Sequence, residues 1–266
     1  MLNGKGILFD VTLCIGCGAC YQACKEENDL PNTNKEYLKD HLSENTLTIV
    51  EQYGDKYARK LCMHCNEPSC VSVCPVGSFK KNEFGAVIYD KNKCIGCRYC
   101  MQACPHKVPR YEWGKTQPRV RKCNLCSKRL KEGKLTACAE ACPTEATLFG
   151  DMEKLIEVAN SRLKNNPTKY YQHIYGLEEA GGGHVLVISP MPFEQLGYTA
   201  MLPDKPMPEL TMRAMEKIPS VVAAGGIFLT TMYWLTKRKN QIAREEKKQL
   251  FKSENRNNGN KYHEEL

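Results

Sequence analysis

The run CIGCRYCMQACP at 94–105 holds four cysteines within eleven residues, and CIGCGACYQAC at 14–24 repeats the spacing C-x2-C-x2-C-x3-C. All sixteen cysteines of the 266-residue chain fall into four such groups. They are Cys14, Cys17, Cys20 and Cys24; Cys62, Cys65, Cys70 and Cys74; Cys94, Cys97, Cys100 and Cys104; and Cys123, Cys126, Cys138 and Cys142. No thiol is left over, and none follows Cys142. A disulfide framework has no need of quartets, and neighbours at CxxC spacing rarely pair as structural staples. Every cysteine therefore reads as a ligand, and any fold must wrap four short loops around what thiolates bind.

A [4Fe–4S] cubane presents four irons at tetrahedral corners, each needing one thiolate. C-x2-C-x2-C wraps three corners, and a fourth cysteine followed by proline ligates the cluster of a companion loop. Pro75, Pro105 and Pro143 follow their quartets, while Lys25 replaces proline after Cys24. Quartets two and four are the same device with an insertion, C-x2-C-x4-C-x3-C and C-x2-C-x11-C-x3-C. Gly16 and Gly96 let the backbone approach a cluster, where amides can bond sulfur and tune its potential. Ile15 and Ile95 are expected to cover the clusters from water. Zinc typically takes two CxxC knuckles from separate segments and has no use for a third cysteine two residues on. A zinc- or cluster-stabilised interaction protein is the alternative from another class. His64 and His106 are expected near the clusters or on the surface rather than as ligands, because the cysteines already fill sixteen corners. Arg98, Lys107 and Arg110 read as solvated surface. With no CxxCH, GxGxxG, P-loop or triad pattern, the expectation is a carrier of electrons that transforms no substrate itself.

Net charge is +8, and half of the excess lies in the last thirty residues, which hold nine Lys/Arg and five Asp/Glu. No basic stripe with interleaved aromatics marks the cysteine-rich part, which argues against nucleic acid. The span IPSVVAAGGIFLTTMYWL at 218–235 is eighteen residues without a charge. At about 1.5 Å per residue it reaches roughly 27 Å, just enough for a hydrocarbon core. Six basic residues occupy the fifteen positions after Thr236, against three in the comparable stretch before Ile218. The positive-inside rule then puts the C-terminus in the cytoplasm and the cysteine body outside. The first thirty residues show neither an apolar signal core nor a twin arginine, and GILFDV is short and interrupted by Asp10. The expectation is export bound to a partner that carries a signal.

The chain divides into a four-cluster body at 1–150, a helix-and-strand extension at 151–189, a Pro-rich arm at 190–217, a transmembrane helix at 218–236 and a basic polar tail at 237–266. Strands are expected at 46–50 and 85–90. Asp151 is placed to cap a helix with Met152, Ile156, Ala159 and Leu163 on one face, ending before Pro167. GGGHVLVIS at 181–189 reads as a glycine turn into a buried strand. Six prolines between 190 and 219 argue for an extended arm rather than a helix, and the polar tail for little order. The quartets begin 48, 32 and 29 residues apart, as duplicated ferredoxin units would. The fold class is α+β, two ferredoxin-like dicluster modules with one C-terminal membrane helix.

These quartets resemble the four-cluster ferredoxin-type electron-transfer subunits of membrane-bound oxidoreductases. CMHCNEPSCVSVCPVGSF, CIGCRYCMQACPHKVPRYEW and KYYQHIYGLEEAGGGHVLVIS look most like the anchored iron–sulfur subunit of hydrogenase-2-type [NiFe] hydrogenases. The fourth quartet with ACAEACPTEATLFG also resembles the β subunit of respiratory formate dehydrogenase. The resemblance implies four [4Fe–4S] clusters passing electrons between a catalytic hydrogenase (or formate dehydrogenase) subunit and an integral membrane quinone-reactive subunit. It implies a single-pass protein of the bacterial inner membrane, with its body on the periplasmic side. It also implies the pairing of quartets: Cys14, Cys17, Cys20 and Cys142 on cluster 1; Cys24, Cys123, Cys126 and Cys138 on cluster 2. Cys62, Cys65, Cys70 and Cys104 would hold cluster 3, and Cys74, Cys94, Cys97 and Cys100 cluster 4. Spacing alone supports the pairing of quartets two and three and permits the other.

Overall fold

The computed structural model describes residues 4–32, 36–116, 118–199 and 202–261. In chain order, β1 (Lys5–Asp10) and α1 (Ala19–Glu27) precede a hairpin of β2 (Ile49–Tyr53) and β3 (Lys56–Lys60). The short helix α2 (Ser69–Ser72) leads to a second hairpin, β4 (Phe79–Lys81) with β5 (Val87–Tyr89). After α3 (Tyr99–Gln102) come a third hairpin, β6 (Arg110–Tyr111) with β7 (Val120–Arg121), and the short helices α4 (Ser127–Lys131) and α5 (Ala137–Glu140). The chain then forms β8 (Thr147–Asp151), α6 (Met152–Asn165), β9 (Val185–Ile188) and α7 (Met207–Lys261).

GILFDV becomes the centre of the largest sheet. β1 pairs antiparallel with β8, Ile7 opposite Phe149, and parallel with β9, Leu8 opposite Leu186. Because side chains alternate along a strand, β1 serves two cores. Ile7 and Phe9 face the thiol-bearing interior with Cys62, Cys123 and Cys138, while Leu8 packs on Met152, Leu155, Ala159 and Leu163 of α6. Each such side chain, fully buried, is worth about 2 kcal/mol. The face expected on α6 is the one buried, with Leu155 added and Ile156 at its margin. Asp151 sits at the cap position but makes no side-chain cap; its carboxylate takes the Lys5 ammonium at 2.6 Å instead. Gly181 and Gly182 have φ of 84° and 73°, and the turn leads into the buried strand as the sequence implies.

Several boundaries move. The division at 150 falls inside β8, and β1, β8 and β9 share one sheet, so the extension is integral to the body. The strand expected at 46–50 starts only at Ile49, because the backbone amide and carbonyl of Thr46 are paired with Ser43 in a tight turn instead. Residues 207–217, expected in the extended arm, are helical: α7 starts at Met207, and Pro208 occupies its first turn, where a missing N–H costs nothing. The tail is also helical through Lys261, consistent with its Ala, Arg, Glu, Lys and Gln content, and residues 262–266 lie outside the described residues.

The chain falls into two units, residues 1–210 and 211–266. Taken by itself, α7 carries a window of mean hydropathy 1.5 within 207–250, and it is long and apolar enough to cross a membrane. Val221, Ile227, Phe228 and Leu229 are all exposed. Thr230, Thr231 and Thr236 donate to carbonyls four residues back at 2.7, 2.8 and 2.8 Å, which satisfies their hydroxyls without water.

Candidate metal centres

All four CxxC loops turn through the same left-handed residue. The position before the second cysteine has φ of 66° at Gly16, 48° at His64, 73° at Gly96 and 54° at Leu125. This turn aims successive amides at one point, the concavity typical of Fe–S sites. The Gly96 and Leu125 amides each donate to the first cysteine of their loop, Cys94 and Cys123, at 3.4 Å. Glycine is required at Gly16 by space as well, since a Cβ there would meet the Tyr57 ring at 2.4 Å. His64 tolerates the turn because its fully buried ring is anchored, Nδ1 accepting the Val87 amide at 2.9 Å. Burial holds His64 well below the usual histidine value, so it stays neutral.

The residue after each quartet decides how far its helix runs. Proline ends α2, α3 and α5 after four residues each. The chain then folds back over the sulfur, and the Ser78 amide donates to Cys74 Sγ at 3.2 Å. Against the effect of burial, amides of Ser78, Val76 and Phe79 hold the Cys74 thiol below its ordinary value, and those of Thr147, Thr144 and Ala146 do the same for Cys142. Lys25, in the proline position of quartet one, lets α1 continue to Glu27. The Asn28 side-chain amide then reaches Cys24 Sγ at 3.7 Å, and the buried Lys25 ammonium ties Pro31 and Asn45 carbonyls at 2.9 Å each.

The loops interlock in pairs. Helices α1 and α5 pack together, as do α2 and α3. One cavity is lined by Cys62, Cys65 and Cys70 of quartet two together with Cys104 of quartet three, closed by Met63, Val108 and Lys122. Burial raises the Cys65 thiol, and charges on Cys62, Cys104 and Cys70 push it further. Burial takes Cys100 to about 11, with Cys94, Cys97 and Cys74 acting in the same direction. The thiols of quartets one and four also act on one another, Cys20 most strongly with Cys138. Burial raises Cys14, helped by Cys142 and Cys17. It takes Cys24 to about 12, helped by Cys138 and Cys126, and raises Cys123, whose strongest thiol neighbours are Cys24 and Cys126. Thiols held this far from ionisation need a cationic core to become thiolates, which iron supplies. Among the described residues, no three Cys, His, Asp or Glu side chains stand close enough for a single metal ion. The donor set fits a cluster, whose ligands stand further apart than those of one zinc.

Two expectations change. Ile15 and Ile95 are 60% and 65% exposed, so their side chains face solvent. Arg110 is structural, its Nε donating to the Leu42 carbonyl and Nη1 to that of Lys107, both at 2.7 Å. His106 stacks edge-on against Tyr175. Three buried groups carried no sequence signal: Arg59, Lys122 and Asp10. Each is a charged residue among buried apolar neighbours, Asp10 between Phe9 and Val11, Arg59 after Ala58, and Lys122 before Cys123.

Two models of the 4Fe-4S dicluster domain match the chain, over residues 13–79 and 55–152. A protein of Nitratidesulfovibrio vulgaris is 40% identical over 264 residues, spanning 94% of this chain and 71% of its own. The Hydrogenase-2 operon protein HybA of Escherichia coli is 39% identical over 235 residues, spanning 72% of this chain and 71% of its own. The nitrate-inducible formate dehydrogenase iron-sulfur subunit of Escherichia coli is 34% identical over 197 residues, spanning 68% and 66%. Two dicluster domains and sixteen cysteines make four [4Fe–4S] clusters.

Proposed function

The chain belongs to the iron–sulfur electron-transfer subunits of respiratory oxidoreductases, built on 4Fe-4S dicluster domains, and from that membership we propose that it links a [NiFe] hydrogenase catalytic subunit to a quinone-reactive membrane subunit. Each cluster, when bound, accepts and releases one electron at a time. The chain's own residues hold the clusters by thiolates, donate amides to their sulfurs and exclude water from the inner pair.

The observation that carries the relay is the exposure of the thiols. Cys17 and Cys97 are the two exposed cysteines of the sixteen. In the proposed order they sit at opposite ends, Cys17 on cluster 1 with Cys14, Cys20 and Cys142, and Cys97 on cluster 4 with Cys74, Cys94 and Cys100. The thiols assigned to cluster 2, Cys24, Cys123, Cys126 and Cys138, are all buried. Cluster 3 takes Cys62, Cys65, Cys70 and Cys104. Electrons then enter and leave at surfaces and travel between them under cover, and no substrate is transformed on this chain.

The helix over 218–235 anchors the subunit in the membrane as a single span. Lys237, Arg238, Lys239, Arg244, Lys247 and Lys248 favour a cytoplasmic C-terminus, with the body on the periplasmic face. The formate dehydrogenase reading is the alternative, supported by the likeness to an iron-sulfur subunit of that enzyme. Detergent-solubilised membranes separate the two. The proposal expects hydrogenase subunits to co-purify with this chain and hydrogen to bleach its cluster absorption. Co-purification of a formate-oxidising subunit, with bleaching by formate alone, would replace it by the alternative.

A further inference from the structure

Arg59, on β3, is the largest fully buried side chain among the described residues, 1% exposed. Its Nε donates to Thr48 Oγ1 at 3.0 Å and its Nη1 to Thr147 Oγ1 at 3.3 Å. The buried carboxylates of the body are engaged elsewhere, Asp10 by Arg162 and Glu112 by Arg121. Lys25 and Lys122 direct their ammonium groups at backbone carbonyls instead. Two neutral hydroxyls cannot compensate a guanidinium that stays charged under all conditions. An anion has to stand beside it.

The anions available are sulfurs. Arg59 follows Ala58 and precedes Leu61, both members of the core that Cys123 and Cys138 help to build and against which Cys14, Cys20 and Cys142 pack. Cys138, Cys20 and Cys123 are the thiols whose charge bears on it most strongly. These thiols come from quartets one and four and belong to both cluster 1 and cluster 2. Thr147, which holds the guanidinium, lies five residues past Cys142 on β8, so the strand that follows the fourth quartet positions the charge. A cluster with four thiolates is negatively charged and gains one further negative charge on reduction. A fixed cation in a low-dielectric interior stabilises the reduced form over the oxidised one.

We propose that Arg59 is a potential-setting residue shared by clusters 1 and 2, raising the reduction potentials of both. The proposal rests on the electron-relay reading above. It concerns a charge that neither binds iron nor contacts a partner.

The test is a reductive EPR titration of the full chain in its native complex, with iron and sulfide counted on every sample. Arg59→Met is expected to keep its iron and to shift the oxidised-to-reduced ratio of two clusters at least tenfold towards oxidised at fixed potential. That is about 59 mV downward for a one-electron couple. Arg59→Lys, which keeps the charge, is expected to restore most of the shift, and cluster 4 serves as the unmoved control. If Arg59→Met loses iron, Thr48→Asp neutralises the guanidinium in place and is expected to give the same fall. Four unchanged potentials with full iron content would overturn the proposal, as would an equal fall in Arg59→Lys. Loss of iron in both Arg59→Met and Thr48→Asp would give Arg59 a structural role only and overturn it too. Absence of iron and sulfide from the unmutated chain would instead refute the relay itself.

Discussion

Arg162 Nη1 donates to Asp10 Oδ2 at 2.8 Å across 152 positions, joining the last turns of α6 to the end of the central strand. Asp10 is fully buried, and its carboxylate also accepts Tyr170 Oη at 2.9 Å and the Thr12 amide at 2.9 Å. A strand that looks interrupted by a charge is therefore closed by it.

Removing the cation should leave a buried carboxylate with neutral partners. Arg162→Met is expected to destabilise the body by about 2–3 kcal/mol, below the full cost of a broken buried pair because the arginine is partly exposed. Asp10→Asn, which keeps most of the hydrogen bonds, should cost less. Anaerobic denaturant unfolding of both variants checks the order, and an equal or reversed ranking would show that the pair is dispensable.

Glu112 governs the acid limit of the third hairpin. It accepts Arg121 Nε at 3.0 Å, Lys115 Nζ at 2.9 Å and the Arg119 amide at 3.1 Å. Burial alone would raise its carboxyl, but the hydrogen bonds and charges of Lys115 and Arg121 outweigh it and hold the group below the ordinary value of 4.5. A depressed acid stabilises the fold above its unfolded value and loses that contribution as pH falls through the folded one. Wild type should therefore exceed Glu112→Gln in stability at neutral pH, and the gap should close below about pH 4.5. Limited proteolysis at residues 112–119 across that range reads it; a gap that widens with acid would reverse the sign.

The pairing of quartets is tested by one thiol. Cys104 stands in the cavity of Cys62, Cys65 and Cys70 rather than with its own loop. Cys104→Ala should convert or lose the cluster of quartet two and leave that of quartet three intact. EPR of the reduced protein distinguishes them, and damage confined to the quartet-three cluster would mean that each quartet serves itself.

The basic residues after Thr236 are expected to keep the C-terminus on the cytoplasmic side. In intact spheroplasts, protease added outside should digest the cluster body and spare residues after 236. Cleavage of the tail with protection of the body would place the relay on the cytoplasmic face.

Much of this was legible because cysteine spacing is a local code. The left-handed residue before Cys17, Cys65, Cys97 and Cys126 and the prolines after Cys74, Cys104 and Cys142 act within five residues of the thiols they serve. The places where the sequence misleads are non-local. Lys25 looks like a lost proline, yet its ammonium holds the loop that follows α1. Arg59 alternates with Ala58 on an ordinary hairpin, and nothing nearby in sequence says that Thr147 will meet it. Pro208 and Pro219 argue against a helix that surrounding Glu, Leu, Met and Ala nonetheless propagate. Periodicity found the face of α6 because that face repeats; a single buried charge does not repeat.

Two dicluster domains and sixteen cysteines make four [4Fe–4S] clusters. Iron and acid-labile sulfide measured on the anaerobically purified full chain test it most directly. About sixteen of each per chain are expected, with no three-iron signal in the oxidised protein. A few zinc ions and no sulfide would contradict it and leave a structural metal protein in place of an electron relay.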